Sequence, residues 1–151
     1  MPAYSTRDDL KAFLLLTLAC AVVWYGCARS APESGATEQQ SEFTAQVYAA
    51  LYAIERHGLP EWADWGREHI GLVAEDMNGL IPKGYLGYTW AFDDEGTGER
   101  SYVILLGEKW LALTVDEQGL VLLHELWHVR TGDLGHPEAL WELLRLYEVG
   151  G

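Results

Sequence analysis

Two kinds of periodicity organise this chain. From Glu42 to His57 (EFTAQVYAALYAIERH) apolar residues return every three or four positions, at Phe43, Val47, Leu51 and Ile54. That spacing lines one face of a helix. Ser41 stands where an N-cap belongs and Gly58-Leu59-Pro60 is a stop, so the pattern predicts an amphipathic helix over 42–57. Gly84–Phe92 (GYLGYTWAF) and Ser101–Leu106 (SYVILL) are instead rich in aromatic and β-branched residues and predict strands. The turn between them, Asp93–Glu99 (DDEGTGE), is too short for a crossover, so the two are expected to pair as an antiparallel hairpin.

The remaining segments divide as sharply. In 61–77, Trp62 and Trp65 suit a short helix, Gly66 and Gly71 interrupt a long one, and His69–Asp76 is expected as a strand. Thr114-Val115-Asp116-Glu117 is a capping box, which predicts a helix from Val115 to Thr131 with Gly132 as its stop. Pro137 suits the first turn of a last helix, from Glu138 to about Val149. The expected class is α+β: an N-terminal helix, a small, mainly antiparallel sheet, a long central helix and a C-terminal helix.

Ahead of this domain lies an apolar run, Ala12 to Ala28 (AFLLLTLACAVVWYGCA), preceded by Arg7 and Lys11. The polar, small-residue stretch RSAPESGATEQQS follows it. The order reads as an export signal or short membrane anchor over 1–28, then a flexible tether over 29–41, then a folded domain over 42–151. The run is near the lower limit for a bilayer span, which takes about 20 residues. Gly26-Cys27-Ala28 resembles a bacterial lipoprotein signal with Cys27 as the lipidated residue, and Cys20 is a weaker candidate. The expected location is therefore outside the cytoplasm, held to a membrane in the periplasm or at the cell surface.

Composition narrows the function. At 151 residues the chain holds one modest domain. It carries 10 Lys+Arg against 23 Asp+Glu, a net charge of −13, which excludes a basic nucleic-acid binder. Arg7 and Lys11 cancel Asp8 and Asp9, so the acidic excess belongs to the domain and tether. The 2 cysteines, Cys20 and Cys27, leave the domain without a disulfide or a cysteine-based zinc site.

The chemistry sits inside the helix expected from Val115. His124-Glu125-Leu126-Trp127-His128 is an HExxH pattern. At about 100° per residue, the two histidines fall one turn apart on the same side, where both imidazoles reach one zinc ion. Glu125 borders that side and can reach a water on the metal without being a ligand. Leu122, Leu123 and Leu126 lie around the opposite side, with Leu120 and Trp127 widening the apolar surface. A catalytic zinc needs a third protein ligand. His136 is the first candidate, because Gly132 and Gly135 allow the chain to turn back; Glu138, Glu142 and Glu148 are its rivals.

The stretch from His124 to Leu144 resembles the small zincin metallopeptidases of the SprT-like and WLM-type groups. In these an HExxH helix, a short loop, a third histidine and a further helix follow one another, as in His136-Pro137-Glu138-Ala139-Leu140-Trp141 here. The resemblance covers 84–148 loosely and carries motifs only over 124–141. It implies a minimal zincin-like fold, Zn2+ held by His124, His128 and His136, and Glu125 as general base. The acidic, apparently exported chain departs from these mostly intracellular, partly DNA-linked groups, so the zinc site is carried over and the substrate is not. The expected activity is peptide-bond hydrolysis by a zinc-activated water. A protein or peptide substrate would add as a strand along the sheet edge, at Gly84–Phe92 or Ser101–Leu106. Arg130, Tyr147, Tyr88 and His69 are candidates to stabilise the oxyanion. The competing expectations are a membrane-tethered zinc-binding or interaction module without hydrolytic activity, and a purely structural anchored domain.

Overall fold

The computed structural model describes residues 34–93 and 96–151. The apolar run, Cys20, Cys27 and residues 29–33 of the expected tether lie outside the described residues, as do Asp94 and Glu95 of the hairpin turn. The elements follow in the order α1 (Ser34–Arg56), α2 (Pro60–Glu68), a 3-10 turn (Ile70–Leu72), β1 (Val73–Glu75), β2 (Gly87–Asp93), β3 (Arg100–Leu106), α3 (Glu108–Leu111), α4 (Val115–Thr131) and α5 (Glu138–Gly150). The class is α+β, as the sequence predicts. Residues 41–151 form one compact unit, and the packing below is that of this unit. Among the described residues no helix is long and apolar enough to cross a membrane.

Helix α1 starts at Ser34 rather than Glu42, so the end of the expected tether is helical. Helix extension adds one hydrogen bond per residue once a nucleus exists, and Thr37 to Gln40 hold no breaker. The predicted stripe faces inward: Phe43, Val47, Leu51 and Ile54 are all buried. The helix ends in a Schellman arrangement. Gly58, at φ +83°, donates its N–H to the Glu55 carbonyl at 3.0 Å, and Leu59 donates to that of Ile54 at 3.2 Å.

The sheet has the order β1-β3-β2. β2 and β3 form the expected antiparallel hairpin, with Thr89 opposite Ile104 and Gly87 opposite Leu106. β1 runs parallel to β3, Val73 opposite Ile104, because the chain reverses twice between them. The sheet is therefore mixed, and its antiparallel pairing is the longer. Expected strand His69–Asp76 is corrected to a 3-10 turn followed by the three-residue β1. His69 stays with α2: its ring stacks on Trp65 at 4.1 Å and its Nδ1 lies 2.8 Å from the Trp65 carbonyl. β3 has neighbours on both sides, so the expected substrate edge at Ser101–Leu106 is also corrected; β2 and β1 are the edges.

Helix α4 lies in the middle of the unit. The capping box is present: the Glu117 amide donates to Thr114 Oγ1 and Glu117 Oε2 accepts from the Thr114 amide at 2.9 Å. Leu122, Leu123 and Leu126 are fully buried against α1, the sheet and α5. Each such side chain contributes roughly 1.5–3 kcal/mol. The short helix α3, not anticipated from the pattern, carries Trp110 into this core, where its indole donates to the Gln118 carbonyl at 3.1 Å. Gln118 answers by donating to the Trp110 carbonyl at 3.1 Å.

Candidate metal centre

Two features of α4 set the centre. One is the turn-to-turn spacing of His124 and His128, whose Nε2 atoms stand 3.0 Å apart. The other is the way the helix ends. Gly132 takes φ +72°, in the left-handed region, and donates its N–H to the His128 carbonyl at 2.9 Å. The chain then folds back over the last turn. Thr131 Oγ1 donates to the Trp127 carbonyl at 2.8 Å, and the Gly135 amide donates to Asp133 Oδ1 at 2.7 Å. These bonds carry His136 back, so that its Nε2 lies 3.1 Å from that of His124.

Among the described residues, His124, His128 and His136 form the one group of histidines, cysteines and acids whose donor atoms converge, all within 4.8 Å of one another. Glu138, Glu142 and Glu148, the rival third ligands, are exposed on α5 and outside this group. A tetrahedral zinc with bonds of about 2.0–2.1 Å separates its ligand atoms by roughly 3.3 Å, close to the 3.0 Å and 3.1 Å at which His128 and His136 stand from His124.

The ring chemistry suits a cation. His128 Nδ1 lies 2.7 Å from the Asp133 carbonyl oxygen, which only accepts, so Nδ1 carries the proton. In the neutral ring Nε2 then presents a lone pair to the other two rings, and a carbonyl behind a ligand histidine is a common way to fix its tautomer. Burial holds His124 down at about 4, helped by the neighbouring His128 and His136. Burial also lowers His128. Both rings are thus neutral at pH 7 and free to coordinate. The indole of Trp141 stacks on His136 at 6.1 Å and 28°, closing one side of the loop ring.

Glu125 follows His124 on α4, is bonded to β2 through Thr89 and is 6% exposed. Burial pushes its carboxyl up to about 7, against the lowering effect of a hydrogen bond from Thr89. Thr89 Oγ1 donates to Glu125 Oε2 at 2.6 Å. Among the described residues no buried side-chain nitrogen or oxygen lacks a partner. Among the described residues Oε1 has no hydrogen bond, so it is the oxygen that reaches solvent.

Two neighbours of the site escape sequence reasoning, Thr89 and the Asp133 carbonyl, whereas Trp141 belongs to the tail quoted for the resemblance. Thr89 had a weak signal, since strand alternation puts it on the same face as Gly87. The Asp133 contribution is a backbone atom and has none. Of the four oxyanion candidates, three have other engagements. Arg130 lies over the Trp62 ring at 4.5 Å, and His69 stacks on Trp65. The Tyr147 hydroxyl donates to the Asp116 carbonyl at 2.7 Å, with His57 stacked on its ring. Tyr88 alternates with Gly87 and Thr89, so it faces the other side of the sheet, edge-on to Tyr85 and Trp90.

Comparison of the chain with protein-family models, with curated proteins and with solved structures found no match.

Proposed function

We propose that this protein is a zinc metallopeptidase that hydrolyses peptide bonds, with His124, His128 and His136 as metal ligands and Glu125 as general base. The observation that carries the reading is the convergence of three histidine nitrogens within 4.8 Å of one another, next along the helix to a buried carboxyl that burial pushes up to about 7. The His128 lone pair faces the other two rings, and three imidazole nitrogens gathered this closely are a donor set that fits a metal. Zinc bound there would supply a polarised carbonyl and a more acidic water.

The chain's own residues do the rest. Glu125 Oε1 accepts the proton of the attacking water and later returns it to the leaving amine. A carboxyl near 7 suits both steps at neutral pH. The Asp133 carbonyl keeps the His128 lone pair aimed inward. Strand β2 is a sheet edge packed on α4, so a substrate chain adding to it would lie beside Glu125. The apolar run over 12–28 supports attachment to a membrane outside the cytoplasm, and the acidic charge supports protein or peptide rather than nucleic acid as partner.

Metal analysis of the purified full chain and cleavage of an unstructured protein such as casein test the proposal. One zinc per chain is expected. Glu125→Gln should keep that zinc and lose about 10²–10⁴-fold in kcat. Zinc retained with no cleavage by the unmodified protein would favour the non-catalytic zinc-binding module. A folded, metal-free protein would overturn both.

A further inference from the structure

Among the described residues, the hydrogen bond that holds the Glu125 carboxylate comes from the inward face of β2. Gly87 leaves the space: a Cβ there would stand 3.2 Å from Glu125 Cγ, 3.2 Å from Val121 Cγ1 and 3.1 Å from Leu106 Cδ2. Two residues on, Thr89 is 7% exposed and presents its hydroxyl to Glu125 Oε2 at 2.6 Å and to the Glu125 carbonyl at 3.3 Å. β3 holds this strand in place through the Thr89–Ile104 and Gly87–Leu106 pairs. The two carboxylate oxygens are therefore unequal. One is tied to the sheet, and the other has no hydrogen bond among the described residues.

We infer that Thr89 is a positioning residue: it fixes Oε2 so that Oε1 alone faces the reacting water. A carboxylate on two rotatable bonds past Cβ samples several orientations, and a misplacement of about 1 Å can cost on the order of 100-fold in rate. A branched, buried hydroxyl has one rotor and little freedom, which makes it a firm anchor. The strand that would receive substrate would thus also aim the base. This rests on the peptidase reading above.

The test uses full-length Thr89→Val, which keeps the shape and removes the donor, and Thr89→Ser, which keeps the donor. Zinc content, kcat and KM are measured on the same casein-derived peptide. Melting of the metal-free proteins is followed for Thr89→Val alone, Glu125→Ala alone and both together. The bond predicts that Thr89→Val lowers the melting temperature by roughly 5 °C in the native background and hardly at all beside Glu125→Ala. The positioning role predicts full zinc content, an unchanged KM, a kcat about 10–100-fold lower, and recovery to within about threefold in Thr89→Ser. Additive melting shifts, lost zinc, or a Thr89→Val enzyme as fast as the active parent would each overturn the inference while leaving the peptidase standing. A zinc-loaded parent that cleaves nothing would overturn the peptidase, and the positioning role with it.

Discussion

Single side chains in this domain are held by pairs of unlike demands. Glu125 is desolvated by its surroundings and supported by one hydroxyl. Tyr147 is a second case, away from the metal centre. Burial and the nearby Asp116 push its phenol up to about 12, from an ordinary value of 10.0. Below about pH 10 the phenol is neutral in both folded and unfolded chains. Between about 10 and 12 it ionises only when unfolded, so the folded state binds the extra proton and stability falls as pH rises. The expected outcome is an alkaline loss of melting temperature over that window, measured by circular dichroism. Tyr147→Phe should flatten this part of the profile, and should cost about 1 kcal/mol at neutral pH through the lost bond to the Asp116 carbonyl.

Elements connect these residues. Helix α4 is capped at both ends by different devices. The capping box at Thr114 serves stability, while the left-handed residue at Gly132 also sets the turn that returns His136 to His124. A side chain at Gly132 would sit at φ +72° and meet the Tyr102 hydroxyl at 3.2 Å. Gly132→Ala is expected to cost about 1 kcal/mol in chemical denaturation. Because the same turn sets the Asp133 carbonyl behind His128 and returns His136, zinc affinity should fall as well, by about 10-fold or more in competition with a chelator. Unchanged affinity would show that the loop finds its return path without the glycine. Helix α1 offers the contrast: Gly58 ends it by the same kind of backbone geometry with no functional group depending on it.

Across the whole unit, a metal held by His124, His128 and His136 as proposed would tie α4 to the loop before α5 and so stabilise the fold. A ligand at 100 times its dissociation constant adds about 2.7 kcal/mol. Zinc is therefore expected to raise the melting temperature by roughly 8 °C, reversed by EDTA. His136→Ala should abolish that shift, whereas Glu142→Gln, on the outer face of α5, should leave it intact.

The sequence by itself determined the local features: the inward stripe of α1, the β2–β3 hairpin, both ends of α4 and the one-turn spacing of His124 and His128. Each depends on near neighbours, where periodicity and capping chemistry act directly. It left the start of α1 too late, and it read 69–76 as strand where His69 packs back on Trp65. Helix extension and aromatic stacking, not local pattern, decide those points. The tertiary structure decided the rest: the parallel placing of β1, the approach of His136 rather than a glutamate to His124, and the hydroxyl of Thr89 on Glu125. These join residues far apart in the chain or reached through a turn, and only the packed core sets the distances between them. The net acidic charge bears on what the domain would meet.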